Sequence, residues 1–267
     1  MNLSTSQKKI YFVSDFHLGV DASLTSEDRE KKIVRWLHMI KSDCERLYLM
    51  GDVFDYWFEY REVIPKGFLR IQAALLELRD ADIPVFFFTG NHDMWMFRYF
   101  ETHLGIPIIR EPIIEHFGGK TFMLGHGDGL GPGDHGYKFI KKIFANPICQ
   151  WLFARVHPNL GIGLMRWTSQ HSRGLEKPTD QEFREEKEWL VHYCNNYRGA
   201  EQPDYFIFGH RHLPIYYKLP DKKGHYINLG EWLHHCSYAV FDGKEVQLLF
   251  FESDQPIKIH GNITSKY

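Results

Sequence analysis

Five apolar runs in this chain end the same way, and that shared ending is the strongest constraint on its fold. "KIYFVSDFH", "RLYLMGDVFD", "PVFFFTGNHD", "KTFMLGHGD" and "PDYFIFGHRH" each pass from a strand-like stretch into a short loop of Asp, Asn and His. In four of them a Gly stands directly before the first polar donor, where it lets the backbone turn sharply and lets another group come close. Taken singly, Gly, Asn and Asp are ordinary turn residues and a His after Gly is an ordinary turn histidine. Five such endings in one chain call for a common reason. In open α/β sheets, sites form where loops leave the carboxyl ends of strands.

The spacing between the first three runs fits that geometry. Ser26–Ile40 carries Ile33, Val34, Trp36, Leu37 and Ile40 at helical intervals, with Ser26 as the expected cap. "GFLRIQAALLELRDADI" (Gly67–Ile83) is a second helix by length and periodicity. Strand, helix, strand, helix, strand implies βαβ units and a largely parallel sheet at the start of an α/β protein. After Ile108 the texture becomes β-rich. "GGK" is the expected turn of a hairpin, "DQEFREEKEWLVHYCNNY" one charged helix, and short strands return at "PIYYKLP", "GHYINLG", "SYAVFD" and "EVQLLFFES". "IKIHGNITSKY" reads as a loosely held tail. With no linker or repeat in view, residues 1–267 are expected to form a single domain.

Gathered on one sheet edge, the five loops would bring together Asp15, His17, Asp52, Asn91, His126, His210 and His212. On an extended strand, residues i and i+2 point the same way, so Asp-x-His and His-x-His could each aim two donors at one place. Two carboxylates, an amide and four imidazoles form a mixed oxygen and nitrogen set suited to manganese, zinc or iron rather than calcium. Seven ligands exceed what one such ion takes and suit two ions sharing a carboxylate and a water. The sixteen His in the chain are consistent with metal ligation. Cys44, Cys149, Cys194 and Cys236 are scattered, which argues against a zinc knot or redox motif and fits a reducing compartment. The net charge of −2 gives no reason to expect nucleic acid as a partner. No apolar run reaches signal-peptide or membrane-spanning length, so the expected location is cytoplasmic.

The ordered series D-x-H, G-D, G-N-H-D, G-H and G-H-x-H resembles that of the calcineurin-like metallophosphoesterases. The resemblance implies a four-layer α/β/β/α sandwich. It also implies that Asp15, His17, Asp52 and His212 hold one metal, and that Asp52, Asn91, His126 and His210 hold the other, with Asp52 bridging. A narrower resemblance covers nearly the whole chain: "SDFHLG", "GDVFDYW", "HGDGLGPGDHGYKFIKKIFANPICQWLF" and "LGEW" are similar to the UDP-2,3-diacylglucosamine pyrophosphohydrolases. These enzymes of lipid A biosynthesis release UMP and 2,3-diacylglucosamine 1-phosphate (lipid X). The resemblance implies two divalent cations, manganese first, with zinc or iron as alternatives. It implies catalytic roles for Asp52 and His92, and substrate contacts from Asn91, His92, Asp134, Tyr137, Arg173 and His210, with Ser169 and Ser172 as looser matches. Arg211 would join His92 in offsetting phosphoryl charge.

A helical insertion over residues 133–173 supports the narrower reading on physical grounds. Phe139, Ile140, Phe144, Trp151, Phe153 and Trp167 alternate with Lys138, Lys141, Lys142, Arg155, Arg166 and Arg173, and Asp134 is the only acid. Asn146-Pro147 is a cap and first turn that starts a fresh helix. Such basic, aromatic helices suit an acyl-chain cleft or the cytoplasmic face of an inner membrane, with the protein held peripherally. They also suit plain packing on the sandwich. One departure stands out: His92 follows Asn91 where the narrower family carries Arg. His92 could be a general acid for a more basic leaving group, a phosphate contact, or a group oriented by Asp93. Other readings remain open at this level. One is a metallophosphoesterase for another phosphodiester, nucleotide or phospholipid; another is a metal-free binding scaffold, though scaffolds typically lose ligands and all seven are present.

Overall fold

The computed structural model describes residues 8–132, 135–173, 182–220, 224–252 and 258–262; the side chains of His135, Ser172 and Arg173 are outside what it describes. Four short parallel strands follow one another along the first half of the chain: β1 (Lys9–Val13), β2 (Cys44–Leu49), β3 (Val85–Phe88) and β4 (Ile108–Ile109). Helices α1 (Ser26–Ile40), α2 (Leu69–Asp80) and α3 (Tyr99–Leu104) connect them. Two strands from the far end of the chain, β10 (Ser237–Phe241) and β11 (Val246–Phe250), add antiparallel beside β1, giving the order β11-β10-β1-β2-β3-β4.

A second sheet has the order β5-β6-β7-β9-β8. The hairpin β5 (Ile113–Phe117) and β6 (Lys120–Leu124) turns at Gly118-Gly119, as "GGK" led one to expect. Parallel to β6 run β7 (Tyr205–Phe208) and β9 (His225–Leu229), and β8 (Pro214–Lys218) closes the edge antiparallel to β9. The sheets face each other through Phe12, Tyr48, Met50 and Phe88 on one side and Phe122, Leu124, Ile207 and Ile227 on the other. The outer face of the first sheet is covered by α1, α2 and α3. That of the second is covered by α7 (Trp189–Asn196). The layering is therefore the expected α/β/β/α sandwich, with apolar side chains filling each of its three interfaces.

Between β6 and α7 the chain leaves the sandwich for α4 (His135–Ala145), α5 (Pro147–Phe153) and α6 (Pro158–Arg173). The Asn146 side chain accepts from the Ile148 amide with Pro147 in the first turn, so the break between α4 and α5 lies where the sequence put it.

Local expectations fail at three points. The cap of α1 is Thr25, not Ser26, and its hydroxyl accepts from the Asp28 amide. The expected charged helix over Asp180–Tyr197 is broken: Asp180 and Gln181 lie outside the described residues, Glu185–Lys187 is a single 3-10 turn, and Glu188 is extended at φ −80°, ψ 97°. That extension turns the Glu188 carboxylate inward, 3.0 Å from Arg211 Nε, a buried pairing that helical backbone preference does not anticipate. The tail is also held in part, because the His260 amide donates to the Pro214 carbonyl and the Asn262 side chain bonds Lys218.

Candidate metal centre

The donors do not sit on the strands. β1 ends at Val13 and β7 at Phe208, and Asp15, His17, Asp52, His210 and His212 all adopt left-handed backbone, with φ of 55°, 46°, 52°, 67° and 57°. The strand pleat therefore does not align Asp15 with His17 or His210 with His212, contrary to the i, i+2 expectation. Side-chain convergence is instead set by strained turns, which persist only where surrounding structure over-determines them. That structure is visible around Asp15. Its amide donates to the Gly51 carbonyl, the His17 amide to that of Asp52, and the Trp232 amide to that of Asp15. From α1 the buried Arg29 guanidinium donates to the Phe16, His17 and Val20 carbonyls at 2.9, 2.6 and 2.5 Å. Arg29 carried no signal in the sequence, since a basic residue on a helix is ordinarily solvated.

Three of the four Gly that precede a donor have a specific reason. A Cβ on Gly51 would come within 2.5 Å of His126 Nδ1, one on Gly209 within 2.5 Å of Asp15 Oδ2, and one on Gly90 would overlap Asp52 Oδ1. These three loops press their backbone against a donor carried by another loop, whereas Gly125 faces Pro112.

All seven expected donors converge. Asp15, His17, Asp52 and His212 form one set and Asp52, His126 and His210 a second; within each set the ligand atoms lie within 4.8 Å of one another. Asp52 Oδ2 is 3.9 Å from His17 Nε2 and 3.3 Å from His126 Nε2, so this one oxygen faces both sets. Its Oδ1 accepts from the His92 amide at 2.9 Å. Asp15 Oδ1 stands 3.6 Å from His17 Nε2 and 3.2 Å from His212 Nε2. Asn91 Oδ1 approaches His126 Nε2 at 3.4 Å, on the side of the second set.

Three observations test whether these residues fit metal ions. Asp15 Oδ1 and Asp52 Oδ2 are buried and receive no hydrogen bond, a costly state for a carboxylate that a cation would relieve. His126 Nδ1 lies 2.8 Å from the Met50 carbonyl, which can only accept. Nδ1 therefore carries a proton, which leaves Nε2, the nitrogen directed toward Asp52, as the one able to ligate once its own proton is displaced. Burial pushes the carboxyls of Asp15 and Asp52 upward, yet the surrounding imidazoles outweigh it and hold both well below the ordinary range. Burial pulls His126 downward, but the Asp52 charge prevails and raises it to about 10. Such a proton marks a site that attracts positive charge, and a cation competes with it. The donor set fits two divalent ions.

Around it stand residues the sequence assigned differently or missed. Asp93 does not orient His92; it accepts from the amides of Val53, Phe54 and Gly90 and so ties the second loop to the third. The partner of His92 is Asp55, whose carbonyl lies 3.0 Å from His92 Nδ1. The Asp55 carboxylate, buried and unnoticed in "GDVFD", reaches to 3.3 Å from His17 Nδ1 and accepts from Ser169 of α6 at 2.7 Å. A signal existed, since a second Asp three residues after the first is more acid than a turn needs. Arg211 does not face the donors with His92: its guanidinium pairs with Glu188 and lies over Trp189. Asp128 takes the Tyr137 hydroxyl at 2.6 Å and Lys141 Nζ at 2.7 Å, fastening α4 two residues from His126. Glu231 accepts from the amides of Leu233, His234 and His235 and so shapes the "LGEW" turn.

A cleft of about 500 Å³ opens from the donors into the insertion. Asp55, Asn91, His92 and Tyr137 line its polar end, and Trp95, Ile140, Phe144, Phe153, Leu164 and Met165 its apolar end. Of the expected substrate contacts, Asn91, His92 and Tyr137 therefore line the cleft, and the His210 ring lies 6.2 Å from that of Tyr137. Asp134 lies outside the described residues. Arg173 ends α6, with its side chain undescribed.

The family description "Calcineurin-like phosphoesterase" matches residues 8–237. A Porphyromonas gingivalis protein named UDP-2,3-diacylglucosamine hydrolase is 38% identical over 256 residues, 91% of this chain and 97% of its own. Proteins of the same name from Edwardsiella ictaluri and Pseudomonas fluorescens are each 27% identical, over 89% and 92% of this chain and 90% and 97% of theirs. A match that runs from the first strand past the last donor loop, over a buried donor set suited to two cations, leaves one conclusion: this chain belongs to the calcineurin-like phosphoesterases and is a metal-dependent hydrolase.

Proposed function

We propose that the chain hydrolyses the pyrophosphate of UDP-2,3-diacylglucosamine to UMP and 2,3-diacylglucosamine 1-phosphate. The observation that carries this reading is the cleft, which joins a cation-binding donor set to an apolar channel under three helices. A nucleotide or a phosphoprotein has no use for that channel; a diacylated sugar does. The names of the relatives point to the same substrate.

Two divalent cations, manganese by preference, would supply Lewis acidity and an activated water. Asp15, His17, Asp52 and His212 would hold one and Asp52, Asn91, His126 and His210 the other. The protein's own groups do the rest. With its Nδ1 proton engaged by the Asp55 carbonyl, His92 presents an Nε2 lone pair to the cleft. Burial lowers its pKa to about 4, so at neutral pH it has no proton to give from Nε2. That suits a sugar-phosphate leaving group, which needs little acid assistance, better than an alkoxide, which needs much. As an acceptor, His92 Nε2 takes a hydrogen bond from a substrate hydroxyl or the attacking water rather than from a phosphoryl oxygen, and Tyr137, with Asp134 and Arg173, contacts the polar part of the substrate. The apolar end of the cleft takes acyl chain, and the insertion acts as a cap of the same domain.

Membrane contact follows from where this substrate resides. Phe139, Ile148, Trp151, Leu160 and Trp167 are each more than half exposed, and Arg155 lies over Trp151. No helix among the described residues is long and apolar enough to cross a membrane. An apolar, basic surface of this kind sits on an anionic bilayer from the cytoplasmic side without spanning it.

The test is incubation with Mn²⁺ and UDP-2,3-diacylglucosamine in water enriched in heavy oxygen, with products weighed by mass spectrometry. Label in UMP is the expected result. No UMP, together with turnover of a soluble aryl phosphodiester, would reassign the substrate and leave the hydrolase class in place.

A further inference from the structure

The insertion is fastened to the sandwich beside the metal donors. Trp95, four residues after Asn91, donates to the Phe144 carbonyl at 2.8 Å. Arg166 donates to the Tyr56 hydroxyl, four residues after Asp52, at 2.7 Å. Ser169 donates to Asp55, three residues after Asp52.

The last of these differs from the others in what its acceptor touches. Ser169 and Asp55 are 6% and 1% exposed, so solvent does not substitute for either partner. Asp55 Oδ2 takes the Ser169 hydroxyl, while Oδ1 faces His17 Nδ1 at 3.3 Å, short of an aligned hydrogen bond. The other nitrogen of that imidazole, Nε2, faces Asp15, Asp52 and His212. One carboxylate thus touches a helix of the insertion with one oxygen and a donor imidazole with the other. A histidine that ligates through Nε2 keeps its proton on Nδ1, and a carboxylate there fixes the tautomer, the ring orientation and the basicity. Where the carboxylate points depends in turn on the hydroxyl that holds its second oxygen.

We propose that Ser169 and Asp55 are positioning residues that couple the seating of the insertion to the cation affinity of the Asp15, His17, Asp52 and His212 set. The inference rests on the two-cation reading above. Coupling of this kind is reciprocal: if a seated α6 tightens cation binding, a bound cation tightens the seating of α6 by the same factor. Entry of a substrate that displaces α6 is then felt at the metal centre without touching a ligand.

The test measures metal affinity, by competition with a chromophoric chelator, and the rate of limited proteolysis within residues 135–173, with and without Mn²⁺. The proteins are the wild-type chain, Ser169→Ala, Ser169→Thr and Asp55→Asn. Loss of the hydroxyl is expected to weaken the more affected cation by about tenfold or more. The protection that Mn²⁺ gives the insertion should shrink by a like factor. Ser169→Thr, which keeps a hydroxyl, should restore both. Asp55→Asn should weaken the cation at least as much and shift the visible spectrum of the Co²⁺-loaded protein. A hydroxyl that merely packs would lower the melting temperature in chelator and leave these readouts alone. Should Ser169→Ala be too unstable to compare, Ser169→Cys, nearly equal in volume and a weaker donor, carries the same expectation. Wild-type affinity and undiminished Mn²⁺ protection in the hydroxyl-free variants would overturn the coupling. A wild-type chain that takes up no metal would remove the two-cation reading and the coupling with it.

Discussion

Adding one methyl group at Gly209 should cost this protein a cation. Gly209 stands between β7 and His210 without a donor of its own. A Cβ there would meet Asp15 Oδ2 at 2.5 Å, Ser14 Oγ at 2.6 Å and Ser14 Cβ at 2.8 Å. Ordinary contact begins at 3.4 Å, so the first overlap is 3.4 − 2.5 = 0.9 Å. β7 is locked between β6 and β9, and the carboxylate is the softer side. Moving Asp15 also breaks its bond from the His210 amide and shifts the oxygen that faces His17 and His212. Overpacking of this kind costs about 1–3 kcal/mol of stability. Misplacing a ligand by nearly an ångström should weaken metal binding by about 10–100-fold, by analogy with loss of an orienting partner. The assay is thermal unfolding with and without Mn²⁺, backed by direct metal titration. At a Mn²⁺ concentration one hundred times the wild-type Kd, the metal adds about 2.7 kcal/mol. A Kd raised 10–100-fold cuts that to about 1.4–0.4 kcal/mol by the same relation. Gly163→Ala is the control: its Cβ meets no heavy atom within 4 Å, and in the middle of α6 it should gain up to about 1 kcal/mol. Two Mn²⁺ bound to Gly209→Ala with wild-type affinity would refute the reasoning.

Three further outcomes follow from the same geometry. Asp52→Ala removes the oxygen facing both donor sets, so metal content by elemental analysis should fall from two ions to one or none, and hydrolysis by about 10²–10³-fold or more. Arg29→Lys leaves carbonyls of Phe16, His17 and Val20 without donors in a buried loop and should cost about 2–4 kcal/mol in urea unfolding; a loss under 1 kcal/mol would mean that water replaces the guanidinium. Burial acts to raise the Glu231 carboxyl, but bonds with His234 and His235 prevail and its folded pKa is depressed. Its contribution is therefore complete above the unfolded value of about 4.3 and is lost as pH falls toward the depressed value. The melting-temperature gap between wild type and Glu231→Gln should be full at pH 7 and narrow below about pH 4; a gap constant to pH 3 would contradict the assignment.

Much of this was legible in the linear chain, for local reasons. Apolar alternation, Gly and the donor residues are all encoded within a few positions, so the five strand-to-loop endings, the hairpin at Gly118-Gly119 and the Asn146-Pro147 break could be read directly. The candidate donors could be named too, because a mixed carboxylate, amide and imidazole set has a narrow range of chemical uses. What escaped was decided between segments far apart. Arg29 looks like a solvated helix residue until its guanidinium is seen inside the loop after β1. Glu188 looks helical until Arg211, 23 residues on, draws it out of the helix.

The residue types at the centre were thus a property of the sequence, and their arrangement a property of the fold. His17 and His212 meet across 195 residues, and Ser169 reaches Asp55 across 114. Asp and His tolerate left-handed backbone better than most residues, but that tolerance does not select it at five positions at once; packing and hydrogen bonding from neighbouring loops hold it there. For that reason the chain announces which groups could bind cations, while the tertiary structure alone determines that Asp55 stands behind His17 and that the insertion is joined to the Asp55 carboxylate through Ser169.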